Sequence, residues 1–359
     1  MILTATLLCL NLLLFVSAQA APLANAKEVQ SLLEKGRAQL NVSPETAIEL
    51  AEKAASTARQ TLTGAERDAV LSESDAVISR ALIGLRRIDE AEVAMKRGFA
   101  HAKTSQIASR AVGELTLAQG RIYQYRDNVQ GALGAFQKAY GIFRSVSEKR
   151  SQAIALQSIA KLYVDGGDGE NAIKYYKQSE EEYGGDPMMS LSSRNNQGMA
   201  FILLAKPQEA ELEFKQAFKV AAQVGSSKYA TRILSNIAQA QIAQRHLSNA
   251  SATIDRAFAS MQAGDAEDEA WRLWRMSAQI ELARKNLAGA TVAIERALEG
   301  VDTKTSDSTF REAHAAAYEI YRTSGREYDS LIQLEAVWRI DKATAKLTAT
   351  NSADRKSVV

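Results

Sequence analysis

Side chains that could carry out chemistry are few in this chain and far apart. The three histidines, His101, His246 and His314, are separated by 145 and 68 residues. None has a carboxylate or a second histidine at the spacing of a metal site, so each is expected to be exposed or to cap a helix. Asp165-Gly166-Gly167-Asp168-Gly169-Glu170 gathers oxygen ligands, but not at EF-hand spacing, and its glycines suit a tight turn. Glu180-Glu181-Glu182 reads as a helix end facing water. The chain contains no nucleophile elbow, no phosphate-binding glycine loop and no dinucleotide fingerprint. Without an acid, base, nucleophile or metal ligand set at a working spacing, the expectation is a non-catalytic protein with no metal and no cofactor.

A second group of polar residues suits recognition better than catalysis. Arg121, Gln124, Gln157, Lys161, Asn195, Asn196, Arg232, Asn236, Gln239, Arg272, Arg275 and Gln279 are amides and cations, with Glu114 the clearest acidic exception near them. Amides match the donors and acceptors of an extended main chain, and guanidinium groups match carboxylates.

What must position these residues is an internal repeat. Small residues recur at Ala91, Ala132, Ala172, Ala210, Ala250, Ala290 and Ser330, with differences of 41, 40, 38, 40, 40 and 40, and Ala47 is a weaker earlier member. Gly120, Tyr123, Ala132, Phe136 and Ala139 stand at offsets 0, 3, 12, 16 and 19, and Gly198, Phe201, Ala210, Phe214 and Ala217 repeat them. Ala160 to Ser179, Ala238 to Ala257 and Ala278 to Ala297 fill the same slots, and the last set is Tyr318, Tyr321, Ser330, Leu334 and Val337. Offsets of three and four place apolar residues on one helix face, and small residues at 0 and 12 allow two helices to approach closely. Pro44, Pro187 and Pro207 mark helix starts, and Thr63/Glu66 and Thr309/Glu312 fit capping boxes.

This spacing resembles the tetratricopeptide repeat. The resemblance implies an all-α, right-handed superhelical solenoid of about eight helical hairpins, with the first helix of each hairpin (helix A) lining a concave groove. HEAT and armadillo repeats also have periods near 40 but do not account for the Gly/Tyr/Ala/Phe/Ala spacing. Counted from the slot at offset 0, groove positions fall at −6, −3, −2, +1 and +4. These positions yield the twelve amides and cations above as the partner-binding groove, with a protein or peptide as ligand. Lys161, Asn196 and Arg232 loosely resemble the carboxylate clamp of some family members. Reversing the charges of Arg232 and Arg275 is expected to weaken partner binding while leaving helicity intact.

Of the 359 residues, 44 are basic and 42 acidic, a formal net charge of +2 that exerts no global pull on nucleic acid or anionic lipid. The first twenty residues differ from the rest. An apolar run, Ile2 to Val16, precedes Ser17-Ala18-Gln19-Ala20, which reads as a signal peptide cleaved after Ala20, although no Lys or Arg precedes the run. Cleavage would remove Cys9, the one cysteine, so the mature chain would suit an oxidising compartment. The expected organisation is a signal peptide over 1–20, the repeat array over 26–345, and a connector with a C-terminal tail over 346–359. Asp341 to Ala353 resembles the connector that follows periplasmic repeat arrays in bacterial diguanylate cyclases and histidine kinases. The last six residues read like translated adapter sequence, so the chain is expected to be a fragment whose enzymatic half lies beyond it. Its expected role is that of a periplasmic sensory and interaction module, with a free-standing periplasmic adaptor for envelope or secretion assembly as the alternative. Contact with the membrane would come only through a missing C-terminal segment or an uncleaved N-terminal one.

Overall fold

The computed structural model of the chain describes residues 26–105, 110–225, 227–261 and 266–356, with side chains undescribed at 105, 227–228, 266–268 and 346–356. The signal-peptide expectation for residues 1–20 and the end of the tail, 357–359, lie outside these residues. The described chain is helical throughout and contains no strand. In order the helices are α1 (26–39), α2 (Pro44–Thr61), α3 (Gly64–Gly84), α4 (Ile88–Ser105), α5 (Arg110–Tyr125), α6 (Val129–Ser145), α7 (Lys149–Asp165) and α8 (Gly169–Glu182). They continue as α9 (Pro187–Leu203), α10 (Pro207–Gln223), α11 (Ser227–Ala243), α12 (Leu247–Ser260), α13 (Ala266–Ala283), α14 (Leu287–Ala297), α15 (Arg311–Thr323) and α16 (Glu327–Lys356). Two compact units divide at Ile159/Ala160, inside α7. Among the described residues no helix is long and apolar enough to cross a membrane. α16 runs without interruption to Lys356.

The period is written into the backbone at one turn in each hairpin after the first. Arg86, Asp127, Gly167, Ala205, Arg245, Lys285 and Gly325 all adopt φ between 53° and 80°, spaced 41, 40, 38, 40, 40 and 40 apart. Following each is an N–H that donates to the carbonyl five residues earlier, at 2.8–2.9 Å: Asn128 to Tyr123, Lys206 to Phe201, Asn286 to Glu281 and their equivalents. Such a closure satisfies the last carbonyls of helix A and aims the chain directly into helix B. Five of the seven positions are not glycine, at a cost of about 1–2 kcal/mol each from Cβ crowding. Asn128, Asp168 and Asn286 then cap helix B by accepting from the N–H three residues on, at 2.9–3.1 Å. Asp168 therefore serves as a cap, and its bonds to Asn171 hold its carboxyl below the usual range.

Helix starts at Pro44, Pro187 and Pro207 fall as the sequence predicts. The two capping boxes do not form. Thr63 makes no cap bond, because Gly64 enters α3 at φ 57° and turns the helix start away from it. Thr309 lies in a 3-10 turn capped by Asp307, while Glu312 reaches across to Arg275.

Packing within each hairpin is tighter than small residues alone require. Gly120 lies directly under the ring of Phe136, and a Cβ there would come within 2.5 Å of Phe136 Cδ1. At Gly198 it would meet Phe214 Cδ1 at 2.6 Å. The glycine at offset 0 thus seats the aromatic at offset 16. Where offset 16 is Ile254 or Ile294, offset 0 is Ala238 or Ala278, and all four are buried. Ser79 in the same slot donates to the Ala91 carbonyl at 2.9 Å. The last hairpin departs from this scheme. Tyr318 is too large for the slot and is half-exposed, and Leu334, expected inside, is 42% exposed. Gln333 is buried in its place and pairs with His314 at 2.6 Å. The expectation that His314 is exposed or caps a helix is therefore overturned, since it is fully buried.

Gly120→Ala is expected to cost about 1–3 kcal/mol by overpacking against Phe136. Adding Phe136→Ile recreates the Ala238/Ile254 pairing and should recover much of that loss. Urea unfolding of the two single variants and the double variant measures the coupling, which strict additivity would reduce to zero.

Candidate functional site

Positions offset by +1, −2 and −3 on an A helix point away from its own B helix, so successive A helices in a unit place these residues side by side. In the second unit they line two clefts. One, of about 170 Å³, is bounded by Met188, Ser192, Asn195 and Asn196 on α9 and by Tyr229 and Arg232 on α11. The other, of about 450 Å³, is bounded by Gln239 on α11, Arg275 and Gln279 on α13, and Arg311, Glu312 and Glu319 at α15.

The cleft amides Asn195 and Asn196 are joined to one another and to Asn236, a predicted groove residue that is instead buried on α11, outside the cleft lining. Asn236 Nδ2 donates to Asn195 Oδ1 at 2.8 Å, and Asn195 Nδ2 donates to Asn196 Oδ1 at 3.3 Å. Asn196 also bonds the hydroxyl of Tyr176, a buried ring on α8 whose pKa is raised by that burial. A run of amides donating in one direction is polarised along its length.

Cations of the predicted groove are neutralised from within the fold, which sequence inspection did not anticipate. Arg232 Nε donates to Glu269 Oε1 at 3.0 Å, and Arg272 Nη1 lies 3.7 Å from Glu269 Oε2. Arg275 Nη2 lies 3.1 Å from Glu312. Glu269 and Glu312 each stand 37 residues after the arginine they bind, one repeat less a helical turn. That spacing is the signal that finds them. Arg275 is only 7% exposed, and burial, opposed by Glu312, lowers its pKa.

The other predicted residues fall outside these clefts. Lys161 is exposed and held by Asp165 one turn on, at 2.8 Å to both carboxylate oxygens. Gln157 and Gln124 are half-buried on α7 and α5 of the first unit. Arg121, also half-buried there, lies beside Arg80 on α3, and burial together with that repulsion pushes its pKa down to about 10. Around Glu114 the first unit gathers further arginines, of which Arg37 and Arg80 stand at the +1 groove offset of their repeats. Arg110 Nε donates to Glu114 at 2.9 Å, with Arg37 at 3.6 Å and Arg80 at 3.9 Å. Glu180, expected to face water, is half-buried and lies 3.9 Å from Arg194.

No family model matches the chain, and no curated protein matches it. Solved structures do share its fold. The apo form of RapI superposes with a TM-score of 0.63 at 13% identity, over 77% of this chain and 99% of RapI. NprR in complex with its cognate peptide NprX gives 0.58 at 12% identity, over 86% and 88% of the two chains. A signal transduction ATPase with numerous domains and a tetratricopeptide repeat sensor, from Pyrococcus horikoshii, gives 0.58 at 15% identity, over 85% of this chain and 44% of that one. At these identities the likeness establishes the fold, an all-α array of tetratricopeptide-like hairpins.

Geometry separates the two arginines that sequence treated alike. Arg275→Glu would bury a carboxylate against Glu312 and is expected to destabilise by about 3 kcal/mol. Arg232, whose side chain is 48% exposed, should tolerate Arg232→Glu better, at about 1–2 kcal/mol, because the new carboxylate can turn to water although buried Glu269 loses a donor. Thermal unfolding of both variants, followed by circular dichroism, distinguishes these outcomes.

Proposed function

We propose that the chain is a non-catalytic scaffold whose A helices hold an extended peptide or the peptide-like segment of a partner protein. The observation that carries this reading is the amide pair Asn195 and Asn196, which lines a cleft on α9 beside Arg232 and Tyr229 of α11, with the Asn195 amide held by buried Asn236. Primary amides both donate and accept, so a run of them can meet the alternating N–H and C=O groups of an extended main chain. Tyr229, 36% exposed, adds an amphipathic ring at the cleft edge. Two further facts support the reading. NprR, which shares the fold, is solved with a cognate peptide, and the Pyrococcus horikoshii array is a sensor.

The chain acts in the periplasm as the sensory module of a longer signalling protein. Export is supported by the apolar Ile2–Val16 run and the small residues that end at Ala20, and the signalling role by the connector-like Asp341–Ala353.

Fluorescence anisotropy against pools of labelled peptides tests the first part. Saturable binding is expected, weakened at least about tenfold by Asn195→Ala and by Arg232→Gln through lost polar contacts, with the helical circular dichroism of the folded protein retained at the assay temperature. Binding indifferent to both substitutions would refute it. Export is tested by fusing residues 1–40 to alkaline phosphatase, which should be active in the periplasm; activity confined to spheroplast lysates removes the periplasmic assignment.

A further inference from the structure

The first unit carries an ion-pair ladder that follows the repeat and then stops. On α1, α3 and α5 the residue after the offset-0 slot is Arg37, Arg80 and Arg121, following Gly36, Ser79 and Gly120. Six residues before that slot, α3 and α5 carry Glu73 and Glu114. Each of the first two arginines meets the glutamate of the following A helix. Arg37 Nη2 lies 2.6 Å from Glu73 Oε2, and Arg80 Nη1 lies 3.9 Å from Glu114 Oε1. For Arg121 the corresponding position on α7 is Ile154. Among the described residues Arg121 has no hydrogen-bond or ion-pair partner, although it is half-buried.

Positive charge is in excess around it. Glu114 is shared among Arg37, Arg80 and Arg110; Arg37 also has Glu73 and Arg110 lies 3.9 Å from Glu148, so the four arginines including Arg121 face three carboxylates. Arg37 Nε, Arg37 Nη1 and Arg80 Nε are buried with no hydrogen-bond acceptor, and Glu114 Oε2 has no donor. Burial lowers the pKa of Arg80, Glu114 opposes this, and Arg37, Arg150 and Arg110 add to the lowering. At a pKa of about 10, Arg121 remains charged at neutral pH. A half-buried charge without a counter-ion is costly, and an anion supplied from outside would remove that cost.

We infer that Arg121, with Arg80 beside it, is a binding site for a carboxylate of an acidic peptide segment, which takes the place that glutamate occupies on the two preceding rungs. The site deepens the peptide-binding reading and rests on it. Carboxylate is favoured by the ladder itself, because the same helix position accepts Glu73 and Glu114. The planar guanidinium fork also matches a carboxylate in two-point contact. Of the +1 residues in the second unit, Gln239, Gln279 and Glu319 line a cleft, whereas Lys161 is held by Asp165 and Met199 packs on the core, so the position is one the fold can open to a ligand.

The test uses the full chain and a fluorescein-labelled peptide of alternating Ala and Glu, about ten residues long and amidated at its C-terminus, so that its charge lies in side chains alone. Its comparison peptides are the Ala/Gln version with an amidated end and the Ala/Gln version with a free end. The Ala/Glu peptide should bind at least about tenfold more tightly than amidated Ala/Gln, as expected for a charge-assisted bond. Arg121→Gln should abolish that preference. Ile154→Glu, which supplies the missing rung in the chain itself, should abolish it as well while raising the unfolding midpoint. The second variant keeps the test decisive if the first folds poorly. If the free-ended Ala/Gln peptide matches Ala/Glu, the carboxylate recognised is the chain terminus, and the site stands. Equal binding of all three peptides, or a preference unchanged in Arg121→Gln, overturns the site. Inorganic phosphate displacing Ala/Glu in wild type and Arg121→Gln alike would overturn it too. Equal binding that Asn195→Ala weakens would leave the wider peptide reading intact, whereas no binding by any peptide removes both.

Discussion

Most hairpins of this fold, those between the first and the last, depend on one contact, the meeting of a small residue on helix A with a large one on helix B sixteen residues later. At Gly120/Phe136 and Gly198/Phe214 the ring lies where a Cβ would be. That approach sets the distance between the two backbones and so the space left for each following hairpin. The hinge between them is equally constrained, because every A–B turn from Arg86 to Gly325 passes through a left-handed residue and closes with the same five-residue hydrogen bond. Contact and turn together fix each hairpin locally, before any neighbour stacks on it.

Stacking then creates the polar surface. Successive A helices bring side chains about one period apart into contact, and charges meet there that lie far apart in sequence. Arg232 with Glu269, Arg275 with Glu312 and Arg37 with Glu73 are all inter-repeat pairs. Arg275 is buried by this stacking and Arg232 is not, although both are arginines on A helices. A cationic surface inferred from residue types alone is therefore largely self-neutralised. What stays available is a smaller set: the amides Asn195 and Asn196, Gln239 and Gln279 in the larger cleft, the exposed part of Arg232, and Arg121 with its missing rung.

The last hairpin shows how far the repeat can be bent. Tyr318 cannot occupy a slot made for glycine or alanine, and the helix buries Gln333 in place of Leu334. Burying an amide requires a partner, and His314 supplies it at 2.6 Å. A histidine that looks incidental in sequence thus becomes part of a core. In this hairpin Tyr318 stands at the slot that a small residue fills elsewhere, and α16 turns Gln333 inward and Leu334 outward.

Sequence by itself determined the hairpins. Their period, the Gly/Phe and Ala/Ile pairings and the proline-marked starts involve residues within about twenty positions of one another, and helical geometry converts such spacings directly into contacts. It also determined which residue types face away from the core, and so most of the candidate surface. Only the tertiary structure decided which of those residues remain available. Glu269 and Glu312 claim their arginines, Asp165 holds Lys161, and Glu312 does so instead of capping its own helix, α15. The physical reason is that a long polar side chain chooses among partners by distance and desolvation, and both are set by how neighbouring hairpins stack.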